Sequence, residues 1–428
     1  MIDLARIYRC CDLKTLARDL GRDPTRLIPD TGNPKLDLMA GLARNLDWTI
    51  PEVIRALTGR IVTEEVVAED PAGVGLPALD ALWMQACHAG KHREMLDIAA
   101  LMCRRASSTR EHQLACMRMY GAYEATGWYV PALECLHEGL SRSGGDPEIR
   151  NLLLANLGNA HYALGNLVEA SAIATEVIET VHPGNRLTRA TTAFARYVRG
   201  HALRRSASRN EEDWTRCARK ALRDLGDARR TYRQLAAERA NPQHEAIAAT
   251  CEGGEVELGA GLGRINPDAA VRMLWDGSVD REHGDALESS GWRTVFAANV
   301  ASRHLEGKRL LETLGRSSIR LERIAGDLGH WGFRARAASI ELARRDHARS
   351  QAIQLEPWVL DAARLRNLIR TMGRMPEFRA TGWRILLEHG VLKGAMKRGR
   401  ASISRKTRTS TEVMDGNPAD LRKVGPAP

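Results

Sequence analysis

The stretch NLGNAHYALGNLVEA, Asn156 to Ala170, decides the fold. Gly165 stands where a helix must stop and turn, and glycine takes the backbone conformation that other residues resist there. Gly158 and Ala170 are small enough to let two helices approach. Leu157, Leu167 and Val177 are large enough to fill the gaps between one helix pair and the next. A single helix pair cannot bury its apolar face, so several must stack.

The same signals recur on the N-terminal side. Tyr123, Gly127, Tyr129 and Ala132 form a second unit, and Trp83 and Gly90, after Leu76, form a fainter first one. The glycines at 90, 127 and 165 lie 37 and 38 residues apart. With these residues the chain resembles the tetratricopeptide-repeat family, whose unit is roughly 34 residues. Longer turns such as Ser141–Asp146 account for the excess. The resemblance implies an α-solenoid of antiparallel helix pairs with a concave groove. Asn156 and Asn159 match positions that hydrogen-bond an extended peptide in peptide-binding members. An amide suits that task because it offers donor and acceptor at once. Tyr162, one turn from Asn159, is placed to pack on the same peptide or protein partner.

Beyond residue 187 the helix pairs continue while the motif decays. Expected helices are Leu187–Leu203, Glu211–Glu238, His244–Leu258, Asp268–Trp275, Leu287–Leu305, Lys308–Leu328, Phe333–Arg345, Pro357–Met372 and Pro376–Glu388. Residues 78–240 thus read as tetratricopeptide-like repeats and 241–392 as an irregular continuation.

Residues 1–59 read differently. Helical pieces are expected at Ile2–Arg9, Leu13–Leu20, Pro24–Ile28, Lys35–Leu46 and Ile50–Leu57. Asp12, Asp23 and Thr49 stand at N-cap positions, and Gly21 and Gly32 at stops. Ala17, Gly21 four residues on, Leu27, Gly32-Asn33-Pro34 and the apolar set Leu36, Leu42, Ala43 and Leu46 carry a resemblance to the Cro-like (phage-repressor) helix-turn-helix family. That family sets its second helix in the major groove. The resemblance places Arg22, Thr25 and Arg26 toward base edges, ringed by Lys14, Arg18 and Lys35, and half-site geometry implies a homodimer. Pro29 departs from the pattern, since it ends or kinks the helix begun at Pro24. Residues 1–60 carry ten basic and eight acidic side chains, a modest excess for phosphate contacts. Residues 60–77, with Glu64, Glu65, Glu69 and Asp70 before Pro71, Gly73, Gly75 and Pro77, read as an acidic linker.

Hydrophobic residues at 43% and charged residues at 27% exclude a wholly disordered chain, and aromatics at only 5% lean toward helix. Of the net charge of +10, +6 falls on residues 393–428, which read as a disordered basic tail. The longest uncharged run, Asn151 to Val168, contains four Asn, one His and two Gly, too polar for lipid. The eight cysteines show no CxxC spacing and read as free thiols in a reducing cytoplasm. The start of the chain, with Asp3 and no apolar core, does not read as a signal peptide.

No catalytic residue, metal or cofactor is indicated. His88 and His92 have zinc-compatible spacing, but Gly90 falls between them. The glycine cluster Gly253 to Gly263 lacks the phosphate-loop lysine pattern. The sequence therefore predicts an all-α protein and, by resemblance, a DNA-binding transcription regulator controlled through a peptide- or protein-binding solenoid. The alternative is an interaction scaffold with a degenerate helix-turn-helix.

Overall fold

A computed structural model describes residues 2–9, 11–27, 35–46, 48, 50, 53–54, 74–89, 91–182, 184–206, 211–239, 241–276 and 284–389. These residues are helices and their connections, with no strand among them. None of the described helices is long and apolar enough to cross a membrane. The chain divides into two compact units, residues 1–60 with 384–428, and residues 61–383. The linker expected at 60–77 lies largely outside the described residues. So do Pro29, the Gly32-Asn33-Pro34 segment and the tail from 393.

The smaller unit contains α1 (Ile2–Arg9), α2 (Leu13–Asp19) and α3 (Leu36–Leu46). The Asp12 carboxylate accepts the Thr15 amide at 2.8 Å and starts α2. Gly21, at φ +63°, ends it. Leu16, Ala17, Leu20, Leu27, Leu42 and Leu46 form the core. Gly41 admits the Leu20 side chain, which a β-carbon there would meet at 2.6 Å. Arg9 at the end of α1 donates to the Asn45 and Arg44 carbonyls, satisfying the open end of α3. The helix expected at Pro24–Ile28 is instead a single 3-10 turn, Pro24–Arg26. Asp23 holds the Thr25 amide at 2.7 Å, Pro24 sets the first turn, and too few residues precede Pro29 for an α-helix to establish itself.

The larger unit is a serial array. Its helices are α4 (Leu76–His88), α5 (His92–Arg105), α6 (Thr109–Ala125), α7 (Tyr129–Ser141), α8 (Pro147–Ala163) and α9 (Leu167–Thr180). They continue as α10 (Arg186–Ser206), α11 (Glu211–Glu238), α12 (Pro242–Gly261), α13 (Pro267–Asp276), α14 (Gly284–His304), α15 (Gly307–Asp327), α16 (Trp331–Ser350) and α17 (Ala362–Arg374). After a 3-10 turn, Pro376–Phe378, α18 spans Arg379–Glu388, its residues from Arg384 on being assigned to the smaller unit. Helix α4 begins inside the expected linker, with Pro77 in its first turn.

Each helix packs on its neighbours in sequence, and the first helices of successive pairs also pack on one another: α6 on α8, α8 on α10, α12 on α14. Local signals fix the ends. Ser108 and Glu111 form a reciprocal cap on α6, and Asp146, Asn241 and Asp361 cap α8, α12 and α17. The expected turn glycines Gly127 and Gly165 have φ of +72° and +84°. At Gly158 a β-carbon would stand 3.5 Å from the Ala170 carbonyl, an ordinary contact, so the packing there does not demand glycine as the sequence suggested. The glycines of α12 lie within a helix and make room for large neighbours: Gly253 for Phe296, Gly254 for His201 and Leu225, Gly261 for Trp214.

The array also meets itself over long range. The Arg374 guanidinium lies 4.3 Å from the Trp128 ring and 4.0 Å from the Trp331 ring. Gly127 packs against Trp331 and Gly332 at the start of α16.

His330 caps that helix, its Nδ1 accepting the Phe333 amide at 3.2 Å. Burial, with smaller contributions from Arg336 and His92, holds this histidine at about 4, below its ordinary 6.5, against the opposing pull of a backbone hydrogen bond. The folded form therefore binds its proton less readily than the unfolded chain. Its contribution is complete above about pH 6.5 and is lost as pH falls toward 4, in total about 3 kcal/mol. His201 is depressed in the same direction, chiefly by burial. Urea titrations from pH 7 to 4 should show this acid loss, and His330→Asn, which keeps a capping acceptor, should shrink it. An unchanged pH slope in the variant would refute the assignment.

Candidate functional site

On the smaller unit, Lys14 and Arg18 project from α2 and are exposed, as are Thr25 and Lys35. Thr25 spends its hydroxyl on Asp23 at 2.7 Å. Arg22 is drawn the other way. Its side chain is 17% exposed and its terminal nitrogen lies 2.8 and 2.9 Å from the two Asp37 carboxylate oxygens. Arg26 ends the 3-10 turn, and its side chain lies outside the described residues. Three cations are thus open to solvent, while Arg22 is already partnered.

In the array, the three residues expected to hold a peptide have separate roles. Asn156 is half-buried and donates to its own helix, to the Leu152 carbonyl at 2.9 Å. Asn159 is buried and donates to the Tyr120 hydroxyl at 3.0 Å and to a Glu124 carboxylate oxygen at 3.1 Å. Its amide nitrogen thereby ties α8 to α6. Tyr162 is buried, and its hydroxyl stands 3.5 Å from an Arg204 nitrogen. The Tyr162 carbonyl accepts from Arg205 at 2.9 Å, and that guanidinium also lies 5.1 Å from the Tyr162 ring. Asn159 and Tyr162 therefore belong to a polar seam along the first-helix row, and Asn156 does not join it.

The seam has two poles. At one, burial and the Glu124 and Glu288 charges push the Tyr129 hydroxyl well up. Burial also raises Glu288, partly offset by its hydrogen bond from Trp292 at 3.2 Å. At the other pole arginines dominate. Burial acts to raise Tyr162, but Arg204, Arg205 and Arg336 outweigh it and bring the hydroxyl below its ordinary range. Arg204 is itself buried, and its Nη1 donates to both Glu257 carboxylate oxygens, at 2.8 and 2.7 Å. Glu257 also accepts from Asn299.

Sequence reasoning missed Arg204, Arg205, Glu257 and Arg336. Only their recurrence on the first helix of each pair could have pointed to them, and the motif had faded there. Among the described residues no group of three or more His, Cys, Asp or Glu side chains could hold a metal ion. No protein-family model matches the chain, and no curated protein matches it.

Proposed function

We propose that the chain is a DNA-binding transcription regulator. In this reading the helix-turn-helix-like unit contacts DNA, and the tetratricopeptide-like array takes a peptide or protein partner that controls it. The observation that carries the DNA half is the exposure of Lys14, Arg18, Thr25 and Lys35 on one small unit whose core accounts for Leu16, Ala17, Leu20 and Leu27. Exposed cations are what phosphate contacts require. Support for the partner half is the polar seam along the first-helix row.

Binding of the full chain to genomic DNA fragments across a salt series tests this. A fragment bound tightly, with affinity falling several-fold in Arg26→Ala and in Lys14→Ala/Arg18→Ala, and with a shallower salt dependence in the latter, is the expected result. Sequence-independent binding that disappears with removal of residues 393–428 would sink it. The second reading, an interaction scaffold with a degenerate head, is favoured by the single 3-10 turn at Pro24–Arg26 and by the capture of Arg22 by Asp37.

A further inference from the structure

Three successive helices each carry one free cysteine: Cys103 near the end of α5, Cys116 on α6 and Cys135 on α7. Cys103 packs against the apolar cluster of Leu79, Leu101, Met102 and Ala115, the last being the α6 neighbour of Cys116. The Cys116 thiol donates a hydrogen bond to the Cys103 sulfur. Cys116 is buried, whereas Cys103 is half-buried. Helix α7 closes on Cys116 from its own side, where a β-carbon on Gly139 would stand 3.0 Å from the Cys116 β-carbon. The His112 Nε2 lies 3.5 Å from the Cys116 sulfur and 3.2 Å from a Glu138 carboxylate oxygen.

The two bonded sulfurs differ in kind. The hydrogen bond from Cys116 favours the thiolate at Cys103 and, helped by Arg104, outweighs the opposing effects of burial and of the Glu138 charge. The same bond, together with burial, holds the proton on Cys116. Elsewhere the direction is upward: burial pushes Cys135 to about 12, and burial with Asp19 and Asp12 raises Cys11. The thiolate is the nucleophilic form of the residue, and a sulfur that solvent reaches meets an oxidant first. A second thiol in contact with it then converts the sulfenic acid to a disulfide.

We propose that Cys103 and Cys116 are a modification site, a dithiol oxidised by a hydroperoxide, with Cys103 as the attacking sulfur and Cys116 as the resolving one. In the first step the Cys103 sulfur attacks one peroxide oxygen and the O–O bond breaks. The other oxygen leaves as hydroxide or alkoxide and takes a proton from solvent. The sulfur is thereby oxidised to a sulfenic acid and the peroxide reduced. In the second step the Cys116 sulfur attacks the sulfenic sulfur and the S–O bond breaks. The departing hydroxide leaves as water with the Cys116 proton, beside the His112 nitrogen. In sum, two thiols and one hydroperoxide give one disulfide, one water and one alcohol or second water. The bond joins the second helix of one pair to the first helix of the next. It therefore fixes a junction between repeats, where the rotation of a solenoid is set. The site is independent of whether the smaller unit binds DNA.

Mass spectrometry of the full chain, treated with hydrogen peroxide, alkylated and digested with trypsin, tests this. Cleavage after arginine puts each of the three sulfurs on its own peptide, 94–104, 111–118 and 119–142. Peroxide should join the first two peptides with loss of two hydrogens, and dithiothreitol should undo the bond. Cys116→Ala should stop at the Cys103 sulfenic acid, which dimedone traps. Cys103→Ser should form no disulfide at Cys116. The proposal is overturned if no disulfide forms, if Cys135 takes the place of either sulfur, or if dimedone labels Cys116 in Cys103→Ser but not Cys103 in Cys116→Ala. Should a variant fail to fold, the digest of the parent chain carries the test, since the peptides that it joins identify both sulfurs.

Discussion

Asp224→Ala should destabilise the 61–383 unit by about 3–5 kcal/mol. Asp224 on α11 pairs with Arg199 on α10 through two parallel bonds, at 2.8 and 2.7 Å. The side chains are only 7% and 11% exposed. Arg199 also reaches the Thr175 hydroxyl on α9 at 3.3 Å, so the pair joins three successive helices. Removing the carboxylate leaves a guanidinium in a place water barely reaches. That stranded charge, rather than the worth of the pair itself, sets the size of the loss. The double variant Arg199→Met/Asp224→Leu should therefore recover most of the stability, since neither charge is left behind. Urea denaturation of the three proteins decides the matter. A loss below about 1 kcal/mol in Asp224→Ala would mean that the pair behaves as a solvated surface contact.

Phe333→Ala should cost a similar amount, about 3–5 kcal/mol, by a different route. The Phe333 side chain is fully buried among Leu287, Val295, Leu321, Ile324, Ala325 and Ala337. Its ring meets Trp292 edge-on, with centroids 5.1 Å apart. It also occupies the space that a side chain at position 291 would need, because a β-carbon on Gly291 would stand 2.6 Å from the ring tip. Truncation therefore opens a cavity between α14, α15 and α16 that rigid helices cannot close. The converse change, Gly291→Ala, should cost about 1–3 kcal/mol by overpacking. Combined with Phe333→Leu it should cost less than the two single changes added together, because the smaller ring-site residue makes room. Strict additivity in thermal or urea unfolding would contradict this packing.

How much of this was legible in the sequence differs by element. Gly127 and Gly165 announced their turns because a left-handed backbone leaves few residues to choose from. Asp12 marked the start of α2 for a similarly local reason, whereas the helix expected from Pro357 begins only after its cap at Asp361. The stretch from Pro24 misled in length: its cap and proline signal a helix start, but a start followed so soon by Pro29 yields one 3-10 turn. The glycines of α12 lie within a helix, and their service to Phe296, His201 and Trp214 depends on partners up to about 50 residues away in sequence. Asn159 and Tyr162 were singled out for a ligand. That Asn159 would bond Tyr120 and Glu124 could not be read locally, since it depends on how α6 and α8 meet. Arg336 was invisible for the same reason. It is 174 positions from Tyr162, and its charge bears on that hydroxyl only in the folded array.

The Arg374 guanidinium between Trp128 and Trp331 has a consequence for how the larger unit comes apart. An open stack of helix pairs touches only nearest neighbours, and such a stack can fray from either end while its middle persists. Here α17 is clasped to the α6–α7 turn, two helices in from the start of the array, so those two regions share their fate. Unfolding should then follow a single steep transition, and amide protons of α6 and α17 should exchange with the same opening free energy. Arg374→Ala should undo that parity and let α17 open before α6. Equal protection of both helices in the variant would show that the clasp carries no cooperativity. The same clasp lengthens the path to the native state, since residues about 250 positions apart must meet before it closes, and contacts of that range slow folding.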